Sequence, residues 1–411
     1  MNTLTIHSDR LLNSLRELGQ IGALPGGGVN RLALTDADRA GRDWVVARMQ
    51  ALGMTVAIDA IGNILGDYAG TEPHLPPVMT GSHIDTVRTG GLYDGNYGVL
   101  AGLEVVAALR DAGHRPRRSL RVAVFTNEEG ARFQPDMLGS LVHVGGLPLA
   151  TALDACAADG TRLGDELERI GYAGNTPVGA PQVDHFVELH IEQGPVLHRE
   201  GTPIGVVEGV QGIAWTEFTL QGTSNHAGTT PMALRQDAGY VAACIATFAR
   251  ELTQRHSGQL GTVGSLTLTP NLINVIAQRA VLTVDLRNTD GATLAQAQRE
   301  LMASAQKVAA TENVTVSHRS LADFAPVAFD PNTVQMVEDE ARALGLTTRR
   351  MPSGAGHDAQ MLARVCPTAM IFVPSVDGLS HNVREHTEPD HLAQGAQILL
   401  NVLLKLADRP T

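Results

Sequence analysis

Leu11, Leu12, Leu15 and Leu18 recur at three- and four-residue spacing among charged neighbours, a period that predicts an amphipathic helix near the N-terminus. A second helix is predicted from Thr35 to Leu52, with Thr35 as its N-cap and apolar residues along one face. Four apolar-rich runs then read as strands: TVAIDAIGNIL (55–65), LPPVMTGSHIDTV (75–87), LRVAVFTNEE (120–129) and HFVELHIEQ (185–193). Helical stretches such as Val99 to Ala112 separate them, and strands alternating with helices predict an α/β domain around a mainly parallel central sheet. Near Val206 the texture changes. GVQGIAWTEFTLQG, VGSLTLTPN and AVLTVDLRN alternate apolar and polar residues like half-exposed strands, and helical periods run from Arg235 to Arg255 and from Thr293 to Thr311. From Pro331 the helix–strand alternation returns. The pattern predicts a smaller α+β domain, 212–324, inserted into an α/β domain made of 1–211 and 325–411.

Two domains also suit the length, since 411 residues exceed what one hydrophobic core usually serves. The formal charge of −12, without a basic stripe or interleaved aromatics, argues against nucleic acid or an anionic membrane as partner and favours a small-molecule or peptide substrate. No 18 apolar residues run together, and the N-terminus lacks the basic start, apolar core and cleavage site of a signal peptide; the expectation is a soluble, cytoplasmic protein. Cys156, Cys244 and Cys366 are odd in number, far apart and without CxxC spacing, and read as buried thiols of a reducing compartment. Gly26–Gly28 in LPGGGVN lack the context of a dinucleotide or phosphate loop and read as a turn or an edge of a substrate loop.

Candidate chemistry gathers at the C-terminal ends of the predicted strands, where open α/β sheets place their ligand crevice. His83 and Asp85 end one strand, Glu128 and Glu129 another; Asp94 follows in GGLYDGNYG, His190 sits in VELHIEQGP, and His381 follows the strand-like AMIFVP. Imidazole and carboxylate together suit zinc or a similar divalent ion. The adjacent pair Glu128-Glu129 poses a choice. Neighbours in extended chain point to opposite sides, so the two are either solvated acids or a division of labour, one gripping a cation while the other moves protons.

GSHIDTV, YDG, NEEGARF, ELHIEQGP, SNHAGTTPM, NVIAQRAVLTVDLRN, GAGHDA and SHNVRE, in this order from Ser8 to about Leu403, resemble the M20 metallohydrolase superfamily. Within it the chain is similar to the branch of N-carbamoyl-L-amino acid hydrolases, allantoate amidohydrolases and β-ureidopropionases. The resemblance implies an α/β fold in which a dinuclear-metal catalytic domain carries an inserted lid and dimerisation domain, two divalent ions per subunit (zinc, with manganese, cobalt or nickel also admissible), and a homodimer. By motif match Asp94 would bridge the ions, with His83 and His190 on one and Glu129 and His381 on the other. Glu128 would then be the general base and Asp85 the residue orienting a ligand imidazole. His226 would stabilise the oxyanion, Asn274 and Arg287 would hold a substrate carboxylate, and Gln193 and the backbone at Gly356 would complete the pocket. His386 in HNVREH is a decoy on this reading, while His185, His198, His256 and His318 are structural. The implied activity is hydrolysis of the ureido C–N bond of an N-carbamoyl-L-amino acid to the amino acid, carbon dioxide and ammonia. Allantoate, N-carbamoyl-β-alanine, dipeptides and other N-acyl amides are the alternative substrates, and a metal-free binding protein is the alternative of another class. Gln211, where an aliphatic residue is commoner, and Leu197-His198, in place of Leu-Glu, depart from the pattern and bear on substrate identity.

Overall fold

The computed structural model describes residues 4–179 and 182–410. Its chain divides into two compact units, one formed by residues up to Gly209 together with those from Ala328 onward, the other by Val210–Val327.

The first unit is built on a nine-stranded mixed sheet. Its strands are β1 (Thr55–Ile58), β2 (Ile64–Tyr68), β3 (Val78–His83), β4 (Leu120–Phe125), β5 (His185–Ile191), β6 (Ile204–Val210), and, beyond the four strands β7–β10 of the second unit, β11 (Val327–Ala328), β12 (Thr348–Ser353) and β13 (Thr368–Val373). The order is β1-β2-β4-β3-β5-β13-β6-β11, with β12 also paired to β6. The four central strands, β4, β3, β5 and β13, are mutually parallel, whereas β2 and β6 join them antiparallel. All residues of those four central strands are buried, as near-continuous apolar runs covered on both faces must be. Parallel strands bring their C-terminal ends to one edge, and that edge receives His83, Thr126-Asn127-Glu128-Glu129, His190 and the loop after Val373.

Helix Asn96–Asp111 is buried along nearly its whole length and lies tightly on this sheet. A Cβ at Gly98 would stand 2.5 Å from the Leu189 carbonyl oxygen, so glycine is what permits the approach. Helix Ser8–Gly19 buries Leu11, Leu15 and Leu18, and helix Asp36–Ala51 is capped by the Thr35 side chain.

The sequence run 55–65 is two strands rather than one. Asp59 accepts hydrogen bonds from the amides of Ile61 and Asn63 and from the Asn63 side chain, Gly62 adopts φ 85°, and the chain reverses into the β1–β2 hairpin. Likewise 209–222 breaks at Gln211 between two strands. The cysteines also differ from expectation: Cys366 is buried, Cys244 half-buried and Cys156 exposed, because Cys156 lies beyond a short helix in a surface segment bridged to Arg162.

The second unit is a four-stranded antiparallel sheet of order β10-β7-β9-β8, where β7 is Gly212–Gln221, β8 Leu260–Thr269, β9 Arg279–Asn288 and β10 Thr315–Phe324. Helices Ala238–Arg255 and Gly291–Thr311 pack on one face, and Ala214, Phe218, Leu220, Leu282, Val284 and Leu286 meet Val241, Ile245 and Leu301 in its core. Alternate residues of β7 and β9 are therefore buried, the period-2 pattern of a one-sided sheet. Among the described residues no helix is long and apolar enough to cross a membrane.

Candidate metal centre

At the C-terminal edge of the large sheet, Asp94 stands among three imidazoles. Its Oδ1 lies 3.2 Å from His190 Nε2 and 3.7 Å from His83 Nε2, and its Oδ2 lies 3.2 Å from His381 Nε2. Glu129 Oε2 lies 3.3 Å from the same His381 nitrogen. Local backbone makes this convergence possible. His381 adopts φ 52° in the loop after β13, and Gly95 adopts φ 64°, where a Cβ would fall 2.4 Å from the His83 ring.

The tautomers are fixed from behind. His83 Nδ1 is 2.9 Å from the Asp85 carbonyl oxygen and His190 Nδ1 is 2.9 Å from that of Ile191. A carbonyl only accepts, so both Nδ1 atoms carry the proton and both Nε2 lone pairs face Asp94. Lone pairs of a neutral imidazole and a carboxylate repel unless a cation lies between them. Two groups of three donors share Asp94: His83, Asp94 and His190, and Asp94, Glu129 and His381. A tetrahedral ion with ligand bonds of about 2.1 Å spaces its donors roughly 3.4 Å apart, which agrees with these separations. The residues present thus fit divalent ions of the zinc, manganese, cobalt or nickel type.

The electrostatics carry the same message. Burial, then Asp358, Glu129, Asp85 and Asp94, push the Glu128 carboxyl well above its ordinary range; burial, then Asp94 and Asp85, do so for Glu129. Burial opposes ionisation of Asp94 too, yet His190 and His381 hold it well below the usual carboxylate range. Burial lowers His83 to about 4, while His190, despite burial, is raised to about 9 by Asp94, a proton on Nε2 then standing where a cation would otherwise lie. So many acids in one dry place call for positive charge.

Glu128 and Glu129 part company here. Glu129 reaches His381 and accepts the Val87 amide, whereas Glu128 Oε2 comes within 3.4 Å of His83 Nε2 and belongs to neither three-donor group. Asp85 acts differently from a simple imidazole partner. Its backbone carbonyl meets His83, while its carboxylate, 3.9 Å from that ring, accepts the amides of Glu128 at 3.2 Å and Glu129 at 3.3 Å. Asp85 thereby fixes the strand end that carries both acids, and burial pushes its own carboxyl up to about 7.

Gln193 donates from Nε2 to Asp94 Oδ2 at 2.9 Å and to Ser380 Oγ at 3.2 Å. A cleft of about 130 Å3 opens at this edge, lined by Gln193, Gly356, Glu128, Glu129, His381 and Asp136 among others. His226, Asn274 and Arg287 lie in the second unit. His226 forms an isolated antiparallel bridge with Val275, and the Ala227 amide donates to the Asn274 carbonyl at 2.9 Å. Arg287 on β9 pairs with Asp285 at 2.9 Å, its guanidinium carbon 6.0 Å from the centre of the Trp215 ring. His386 is exposed, 3.6 Å from Glu388, and takes no part in the cluster.

Several residues at the centre were not singled out by sequence. Glu188, His190 and His357 form a further buried three-donor group, with the His357 ring edge-on to His190 at 4.6 Å. Glu188 precedes His190 by two in β5, so period-2 spacing was the available signal. His357 stands inside GAGHDA, next to Gly356. Glu385 accepts the amides of Tyr93 and Asp94, tying the His381 loop to the Asp94 loop.

The sequence matches the family described as "Peptidase family M20/M25/M40" over residues 79–405. The chain belongs to this family. It is 41% identical over 404 residues to the N-carbamoyl-L-amino-acid amidohydrolase of Rhizobium meliloti, covering 98% of this chain and 97% of that one. It is 35% identical over 418 residues to the ureidoglycolate hydrolase of Arabidopsis thaliana, covering 99% of this chain and 88% of the relative. Among solved structures, an amidase of the hydantoinase/carbamoylase family from Burkholderia multivorans superposes with a TM-score of 0.96 at 44% identity, covering 99% of this chain and 100% of that one. As a member of the M20 family the protein is a hydrolase, and its relatives of high coverage are amidohydrolases.

Proposed function

We propose that the protein hydrolyses N-carbamoyl-L-amino acids to the amino acid, carbon dioxide and ammonia, with one water consumed. The observation that carries this reading is the pair of three-donor groups joined at Asp94 with the unengaged carboxylate of Glu128 beside them. The similarity to the Rhizobium meliloti enzyme supports the ureide as substrate class.

His83 and His190 would hold one divalent ion, Glu129 and His381 a second, and Asp94 both. The chemistry such ions supply when bound is to acidify water and to polarise a carbonyl. Glu128 collects the proton of the attacking water and returns it to the leaving nitrogen, and Asp85 keeps Glu128 in place through its backbone amide. His226 accepts the amides of Gly228 and Thr229 on Nδ1, which leaves its Nε2–H as a donor for the developing oxyanion. Arg287, oriented by Asp285, and Asn274 hold the substrate carboxylate, while Gln193 and Gly356 border the reacting group. The second unit is the lid and dimerisation domain of a cytoplasmic homodimer on this reading. Its exposed Trp215, Leu260, Leu266 and Leu321 supply apolar surface for a partner copy.

A second reading takes ureidoglycolate as substrate, favoured by the similarity to the Arabidopsis thaliana protein. Ammonia release by metal-reconstituted protein, with chelator controls, separates the two when N-carbamoyl-L-amino acids, their D-enantiomers, N-carbamoyl-β-alanine, allantoate and ureidoglycolate are compared. Preference for an L-α-ureido acid is the expected result. Silence on every ureide with metal bound, together with turnover of a dipeptide, would sink the proposal.

A further inference from the structure

Asp136 lines the cleft beside Glu128, Glu129 and His381, yet it belongs to none of the three-donor groups. Among the described residues no side chain donates to it, and burial pushes its carboxyl up.

The loop that presents it is braced from end to end. Asn127 donates from Nδ2 to the carbonyls of Phe133 at 2.9 Å and Pro135 at 3.3 Å and accepts the Phe133 amide, and Gln134 donates to the Gly130 carbonyl at 2.7 Å. The Met137 amide closes the loop on the Glu128 carbonyl at 2.7 Å. Gly130, at φ 59°, passes so near that a Cβ would lie 2.9 Å from the Asp136 backbone. A carboxylate delivered on such a rigid support, without a donor of its own, is preorganised for a donor that arrives from outside.

We propose that Asp136 is a specificity-determining residue that accepts a hydrogen bond from the terminal NH2 of the substrate's carbamoyl group. The inference rests on the ureide reading above and deepens it. With the carbonyl oxygen turned toward the ligand groups, the terminal nitrogen of a ureide is the polar group still needing an acceptor, and Asp136 lines the same cleft as those groups. An N-acetyl group matches the carbamoyl group in shape but puts a methyl against Asp136, leaving a desolvated carboxylate unpaired.

The test compares wild type, Asp136→Ala and Asp136→Asn on N-carbamoyl and N-acetyl derivatives of the same L-amino acid. The readout is the ratio of kcat/KM for the two, or of Ki where the acetyl compound is not turned over. Wild type is expected to favour the carbamoyl compound, Asp136→Ala to lower the ratio about tenfold or more with little change toward the acetyl compound, and Asp136→Asn to fall between, since its amide keeps an acceptor oxygen. An unchanged ratio in Asp136→Ala, or an equal loss on both compounds, overturns the role of Asp136 while leaving the ureide reading intact. Absence of ureide turnover in metal-loaded wild type overturns both.

Discussion

Glu128 and Glu129 are chemically identical and adjacent, so their difference has to come from what each side chain meets. Glu129 faces His381, which also faces Asp94; Glu128 faces His83 from outside both donor groups. Substituting Glu128 by Gln keeps size and removes proton-accepting ability. It should therefore retain metal content while kcat falls by about 10²-fold or more. His381→Ala removes a donor and should lower the metal content of the isolated protein. Inductively coupled plasma analysis beside ammonia release checks both; near-normal rates in Glu128→Gln would remove it as the base. At this scale the sequence was most readable where residue type and strand end coincided, as with His83, His190 and Glu129. Asp85 was legible as a supporting residue, but the route of its support was not, because backbone amides as hydrogen-bond partners leave no mark in side-chain identity. His357 and Asp136 are brought to the cleft by loops whose course no local pattern encodes.

Elements lend these residues their precision, and Arg31 shows how. It is fully buried, has no directly bonded carboxylate among the described residues, and donates to the carbonyls of Ile84, Leu18 and Ile21 and to the Asn96 side chain. One guanidinium thereby joins the first helix, the end of β3 next to His83 and the helix start next to Asp94. Burial lowers its pKa to about 10, so it remains charged at neutral pH. Arg31→Met would leave four acceptors unsatisfied in a dry interior, and a loss of about 3 kcal/mol or more is expected. The matching fall in melting temperature is roughly 3 °C or more for a chain of this length. Differential scanning calorimetry checks it; an unchanged transition would mean that water or neighbours replace the guanidinium at no cost. Strand identity was legible where burial made it so, in the continuous runs of β3, β4, β5 and β13 and in the alternation of β7 and β9. The β1–β2 hairpin was not, because its turn is made by Asp59 bonding to its own neighbours inside an unbroken apolar stretch.

Across the whole molecule, the larger unit concentrates buried acids at one sheet edge. Asp85, Asp94, Glu128, Glu188, Asp358 and Glu385 are each less than one-tenth exposed, and burial, then Glu188, pushes the Asp358 carboxyl well above its ordinary range. Such a cluster is destabilising for the fold taken alone, since each acid must lose water or take up a proton. A divalent ion that binds the folded state and not the unfolded one reverses that balance by mass action, by about 2.7 kcal/mol at a hundredfold excess over its dissociation constant. Adding metal to chelated protein should then raise the melting temperature by roughly 3 °C or more. Asp94→Asn offers the sharper comparison. It removes the carboxylate that His190 and His381 hold ionised, so the chelated variant should melt below chelated wild type, while its response to added metal should largely vanish. Thermal melts of both proteins, with chelator and then with zinc or manganese titrated in, separate the two effects. If Asp94→Asn instead gained as much from added metal as wild type does, Asp94 would hold no ion, its carboxylate would be serving the fold through its hydrogen bonds to Gln193 and Ser380, and the acid cluster would not owe its place to a cation.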